Sequence, residues 1–348
     1  RGIVAALDAS TGKQIWKTYT LPPATKQKTS KGLEHLGPAG AGVWGTTTID
    51  TKRRAVYVST GNMFSAPDVG NGNAVMAMDM DTGKILWVQQ TIKGDVRSSG
   101  NCRQIQGNIP SAPGFPPRSA SRRPDPNAGP PPPRRAPKTR EELGFPADYY
   151  CPEETENPDW DFSAGVMLVD LPNGKSLVVA GQKGGMAWAF DPDKKGELVW
   201  GVDVSKGDIL FGAATDGEKA YFGMRGGALA AVRLTDGVEQ WAHWIDPQPH
   251  MQRHRGISAA VSAIPGAVFT TGLDGTVRAF SAFDGRPLWQ YDTTQEVTTV
   301  NGIKARGGSI GAAGAVIVDG MVFVSSGYIG FQGGTPGNVL MAFGPPED

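Results

Sequence analysis

Apolar runs of five or six residues, separated by short polar turns, recur along this chain with a shared signature. Ala6-Leu7-Asp8-Ala9-Ser10-Thr11-Gly12-Lys13-Gln14-Ile15-Trp16 returns as Ala77-Met78-Asp79-Met80-Asp81-Thr82-Gly83-Lys84-Ile85-Leu86-Trp87. Looser copies run from Ala189 to Trp200, Ala231 to Trp241 and Ala279 to Trp289, and Val339-Leu340-Met341-Ala342-Phe343 begins a sixth. Each copy predicts a strand, a tight Asp/Gly turn and a second strand ending in tryptophan. Trp200 and Trp241 lie 41 residues apart and Trp241 and Trp289 lie 48 apart, the period of a β-propeller blade. The earlier gaps of 71 and 113 residues require insertions.

Blades are expected at 43–92, 163–204, about 208–246 and about 257–292, with half a blade at 3–20 and three strands at about 308–343. About five and a half blades leave strand edges unpaired, which closed propellers avoid. Together with a start at Arg1 inside a repeat, this reads as the C-terminal part of a longer, partial propeller spanning 1–348. Residues 104–150 interrupt the pattern, with eleven prolines between Pro110 and Pro137 among several arginines. Such a segment neither ladders nor packs a core and is expected to be extended or disordered, as a solvated loop or a partner-binding one. Cys102 and Cys151 bracket it, with 48 residues between them. A disulfide there would contribute about 4 kcal/mol by chain entropy and imply an oxidising compartment. Two buried thiols are the alternative.

Composition sharpens the class. Forty-eight glycines and 27 prolines suit an all-β chain of many short strands. Zero formal net charge gives no electrostatic footprint for nucleic acid or an anionic membrane surface. No run of 18 apolar residues is present, so no transmembrane helix is expected.

Several residues carry candidate chemistry. Trp44, between Gly42-Val43 and Gly45 at an expected strand start, presents a flat face to a ligand or fills the core. Asn62 follows Ser59-Thr60-Gly61, where a strand ends; its amide caps a turn or offers an oxygen to a hard cation. Asp159-Trp160-Asp161-Phe162 opens a blade with two carboxylates, able to ligate a cation or act as a base. Lys183, in Gln182-Lys183-Gly184-Gly185, places a cation after an apolar strand, where it meets an acidic ligand or water. His250 and His254 are four apart without helical periodicity around them. The glycines at 307, 308, 311 and 314 precede a strand-like Val316-Ile317-Val318, so a phosphate loop is not supported.

These motifs, in this order and in these blades, resemble the pyrroloquinoline quinone (PQQ)-dependent alcohol dehydrogenases. Ser262-Ala263-Ile264-Pro265-Gly266, Gly272-Leu273-Asp274-Gly275, Thr299-Val300-Asn301-Gly302 and Pro336-Gly337-Asn338-Val339-Leu340 bring the resemblance closest to polyvinyl alcohol dehydrogenase-like members. The resemblance implies an eight-bladed propeller when complete, holding PQQ and Ca²⁺ on its axis. It implies that Trp44 is the floor beneath the cofactor and that Lys183 reaches the quinone oxygens. Asn62 and Asp161 become metal ligands, with Asp161 also the base that takes the alcohol proton. It further implies an alcohol substrate, a cytochrome c acceptor and a periplasmic or secreted location. A metal-binding Glu and a vicinal disulfide are expected upstream of Arg1. The chain departs at Ile209-Leu210-Phe211-Gly212, apolar where relatives carry polar or Trp residues. The competing expectation is a non-catalytic scaffold built from the same repeats.

Overall fold

The computed structural model describes residues 1–28, 32, 34–96, 159–204, 207–246, 256–328 and 334–345. The 104–150 insertion, Cys102, Cys151, His250 and His254 lie outside the described residues. Among the described residues strands dominate, all paired antiparallel to their sheet neighbours, with a short 3₁₀ turn at Pro192–Lys194.

Four sheets have four strands in simple sequential order. The first blade comprises Thr48–Asp50, Ala55–Ser59, Ala74–Asp79 and Ile85–Gln90. The second comprises Met167–Asp170, Ser176–Gly181, Met186–Asp191 and Glu197–Asp203. The third holds Ala213–Thr215, Lys219–Met224, Ala228–Arg233 and Glu239–Trp244. The fourth holds Ser262–Ile264, Ala267–Thr271, Thr276–Ser281 and Pro287–Asp292. A two-stranded sheet (Ile3–Leu7, Gln14–Tyr19) precedes them and a three-stranded sheet (Val316–Val318, Met321–Ser326, Val339–Phe343) follows. The opening strands of successive blades abut one another and therefore form the inner lining of a propeller.

The apolar runs are continuous because both faces of each middle strand are covered. Val56 and Val58 pack toward the N-terminal sheet with Trp16, whereas Ala55 and Tyr57 pack toward the second blade with Phe162 and Trp188. Leu177 and Val179 then face the third blade while Val178 and Ala180 face the first. The core is thus a series of slabs between neighbouring sheets.

The repeated Asp–Gly–Trp signature has a direct physical cause. Asp8 Oδ1 accepts from Thr11 N at 2.8 Å, and Asp79 Oδ1 from Thr82 N at 2.8 Å, closing identical turns. The docked tryptophans cross to the turn of the next sheet: Trp16 Nε1 donates to Met80 O at 2.9 Å and Trp200 Nε1 to Leu234 O at 2.7 Å. The turn glycine has positive φ, and a Cβ on Gly83 or Gly285 would stand 2.5 Å from the docked ring. Only glycine leaves room for the neighbour's tryptophan.

Strand direction alternates, so loops joining strand two to three and strand four to the next blade emerge at one end. That end also receives the extra hairpins Thr25–Lys28/Glu34–Gly37 and Glu296–Thr298/Lys304–Arg306. The opposite end is made of short turns.

Candidate active site

Trp44, Asn62, Asp161 and Lys183 all sit in loops of the insertion-bearing end, and those loops are hydrogen-bonded to one another. Trp44 lies in the stretch 41–47 ahead of the inner strand, which begins only at Thr48; the expected placement at a strand start is corrected accordingly. Asn62 lies where the Ala55–Ser59 strand has ended, and Asp161 leads into the second blade. Lys183 occupies the turn between Ser176–Gly181 and Met186–Asp191.

Ala41 N donates to Asn62 O at 2.9 Å and Gly61 N to Gly42 O at 2.8 Å, joining the Trp44 and Asn62 loops. Asn62 N donates to Asp161 Oδ1 at 3.1 Å, and Lys183 N to Asp161 O at 2.8 Å. Gly61 fills the gap between side chains: a Cβ there would lie 2.9 Å from Trp44 Nε1 and 3.6 Å from Asp161 Cγ. Trp44 is 47% exposed, so it is not a core tryptophan. Lys183 Nζ stands 5.6 Å over its ring, pairs with Asp159 Oδ2 at 2.8 Å, and lies 3.6 Å from Asp161 Oδ2.

Two buried polar atoms stand out. Asp161 Oδ2 and Asn62 Nδ2 have no hydrogen-bond partner although both residues are almost fully buried. Interiors pair such groups almost without exception, so the pair marks a place for something else. Turning the Asn62 amide over presents its oxygen instead. A carboxylate and an amide oxygen are hard donors suited to Ca²⁺. Among the described residues there is no cluster of three or more His, Cys, Asp or Glu, so these two supply only part of a Ca²⁺ shell. The residues present fit a flat, anionic, metal-associated ligand: an open indole face, a lysine cation and two unsatisfied oxygen-bearing groups.

The apolar departure resolves into packing. Ile209 and Leu210 are buried, Ile209 packs in the core between the second and third blades, and Phe211 is half-buried. Ser163 Oγ donates to Ile209 O at 3.3 Å, so the segment also joins neighbouring loops.

Sequence reading missed Asp95 and Asn73. Asp95 is 2% exposed and accepts from Asn73 Nδ2 at 2.7 Å, Trp160 N at 3.0 Å and Asp159 N at 3.3 Å. No spacing rule links it to Asp159, 64 residues on. Burial pushes its carboxyl up to about 6, assisted by the Asp161 charge and opposed by its N–H donors and Lys183. A carboxyl pKa raised on folding adds stability that is present at low pH and lost as pH rises through about 6. In the cofactor-free protein, denaturant unfolding should therefore show wild type losing on the order of 2–3 kcal/mol relative to Asp95→Asn between pH 4 and 7. A pH-independent difference between the two would contradict the shift.

Comparison with known proteins gives the site its context. The profile described as "Glucose/ethanol/alcohol dehydrogenase, beta-propeller domain" matches residues 1–98, and that described as "Outer membrane protein assembly factor BamB" matches 159–310. A polyvinyl alcohol dehydrogenase from Pseudomonas sp. is 36% identical over 99% of this chain, and one from Sphingopyxis sp. (strain 113P3) is 33% identical over 99%. Over its whole length the chain is therefore similar to quinoprotein alcohol dehydrogenases. It spans about half the length of the curated relatives it matches, 51% of each. The solved quinohemoprotein alcohol dehydrogenase from Comamonas testosteroni superposes with a TM-score of 0.54 at 14% identity, covering 98% of this chain and 56% of that one. That likeness concerns the fold, the propeller expected from the repeats. Among the described residues no helix is long and apolar enough to cross a membrane.

Proposed function

We propose that this chain carries the proton-accepting side of a PQQ- and Ca²⁺-dependent alcohol dehydrogenase. The observation that carries the reading is the buried Asp161 Oδ2 without a hydrogen-bond donor, set beside Lys183, Asn62 and the open face of Trp44. Asn62 and Asp161 would hold Ca²⁺, while Trp44 and Lys183 would hold the quinone. When bound, this pair supplies an electron-accepting carbonyl and a Lewis acid beside it. The protein's own work is narrower. Trp44 fixes the plane on which a flat ligand lies, and Asn62 N holds one oxygen of Asp161, leaving the other without a hydrogen-bond donor. That free oxygen takes the hydroxyl proton of the alcohol. Lys183, drawn aside by Asp159, keeps positive charge close to Asp161 without donating a hydrogen bond to it.

The names of the two full-span relatives support an alcohol carried on a polymer, or another secondary alcohol, as substrate. A cytochrome c acceptor and a periplasmic or secreted location complete the proposal. The match to an assembly-factor profile over 159–310 favours a second reading, a non-catalytic scaffold. A scaffold has no use for unsatisfied polar atoms buried beside an exposed indole. Dye-coupled alcohol oxidation by the full-length protein, with and without added PQQ and Ca²⁺, separates the two. Activity requiring both additions supports the dehydrogenase; no activity and no PQQ binding support the scaffold.

Trp44→Ala should weaken PQQ binding by about 10- to 100-fold, the loss of one aromatic stacking face at roughly 1–3 kcal/mol. The melting temperature should move little, because half of the side chain is already in solvent. Titration by quenching of protein fluorescence reads the first, and calorimetry the second. Unchanged affinity would remove Trp44 from the site.

A further inference from the structure

Asp95 gathers three separate pieces of chain at the floor of the site. Its carboxylate accepts from Trp160 N, Asp159 N and the Asn73 amide at 3.0, 3.3 and 2.7 Å. Its backbone carbonyl accepts from Met63 N at 3.1 Å, next to Asn62, and the adjoining Val96 is buried and bridges Met63 in parallel. Asp95 is therefore tied both to the loop that carries Asn62 and to the loop that carries Asp161. The two loops belong to different blades, and the chain between Val96 and Asp159 contributes 62 residues.

The consequences run through backbone, not through direct contact. Asp159 holds a left-handed φ of 59°, and from there its carboxylate pairs with Lys183 Nζ at 2.8 Å. Trp160 packs its ring where a Cβ on Gly184 would come within 2.9 Å, beside Lys183. Asp161 follows at once, its Oδ1 on Asn62 N. Holding the N–H groups of residues 159 and 160 thus fixes where the Asp161 carboxylate points and where Lys183 is drawn.

We propose that Asp95 is a positioning residue of the reaction: it locks the Asp159-Trp160-Asp161 segment so that Asp161 Oδ2 stays free and aimed at the alcohol. This rests on the dehydrogenase reading above. The role has a structural alternative, in which Asp95 anchors a loop and affects folding alone. The two differ in where the effect appears.

The experiment is a double-mutant cycle in the full-length protein with saturating PQQ and Ca²⁺. Asp95→Asn should lower kcat about 10- to 100-fold, with KM within a factor of two to three, as expected when only transition-state geometry is lost. The Kd for PQQ, read by fluorescence quenching in the absence of alcohol, should stay within about three-fold, because the Trp44 face is untouched and the lysine cation is kept. In an Asp161→Asn background, Asp95→Asn should have almost no further effect on kcat, since residues acting through one group are non-additive. Asp95→Glu, which restores the second carboxylate oxygen for these donors, should recover part of the lost kcat. Additive losses in the cycle would overturn the proposal, as would a fall in melting temperature that accounts for the lost activity by unfolded fraction. A wild-type protein that binds no PQQ and oxidises no alcohol would instead overturn the dehydrogenase reading beneath it, a result visible before any variant is made.

Discussion

Asp161→Asn is expected to lower kcat by about 10²- to 10⁴-fold at saturating PQQ and Ca²⁺, the range for loss of a positioned general base. The substitution is close to isosteric, and an asparagine Oδ1 can still accept from Asn62 N, the 3.1 Å contact that joins the two loops. The melting temperature should therefore stay within a few degrees. What disappears is the second carboxylate oxygen, replaced by an amide nitrogen that cannot take a proton at working pH. The same change removes a charge from a residue proposed to hold Ca²⁺, so the assay has to be run over a Ca²⁺ titration and the plateau compared. Turnover within ten-fold of wild type on that plateau would exclude Asp161 as the base.

Trp200→Ala is expected to cost about 3–5 kcal/mol, the range for truncating a buried aromatic. At about 2.1 cal/mol/K of unfolding entropy per residue, this is a fall in Tm of roughly 4–7 °C. Trp200 is 7% exposed, donates to Leu234 O at 2.7 Å, and sits on Gly237, so truncation leaves both a cavity and an unpaired carbonyl between the second and third blades. Trp289 holds the same place in the repeat but is 38% exposed and meets Phe343 edge-on at 5.1 Å. Its truncation should cost less than half as much. Equal losses from the two would show that stability follows the tryptophan itself and not its docking on the next blade's turn.

The propeller was legible because its physics is local and repeated. Asp79 and Gly83 have to close a tight turn, Trp87 has to reach the neighbouring sheet, and the same solution is written again at Asp191, Gly196 and Trp200. Repetition also exposed the blade boundaries: the expected half blade, four blades and final three strands correspond to the observed sheets of two, four and three strands. The candidate site residues were legible for a different reason. Trp44, Asn62, Asp161 and Lys183 lie outside the repeat positions, so each stands out as a residue the architecture does not require, and the family resemblance gives them an order.

Asp95 was not legible, because its partners arrive through folding. It is one aspartate in Lys93-Gly94-Asp95-Val96, with no repeat position and no motif around it. Only when strand four of the first blade and the opening loop of the second meet do Trp160 N and Asp159 N come within its reach. The expected strand start at Trp44 failed on similar grounds. Thr46-Thr47-Thr48 has strand propensity throughout, yet a side chain on Gly45 would lie 2.4 Å from Gly165 N, and this close approach accompanies irregular chain up to Thr48.

By itself, the sequence determined the class of fold, the register of its blades and the candidate chemistry, since all three rest on short-range patterns of turn, strand and exceptional residue. Tertiary structure decided what those residues do to one another. The Asp161 carboxylate set between Asn62 and Lys183, the lysine held over Trp44 by Asp159, and the clamp at Asp95 each join loops from different strands or blades. Such contacts depend on neighbouring sheets packing side by side and on which groups burial leaves without water, and neither is written at any one place along the chain.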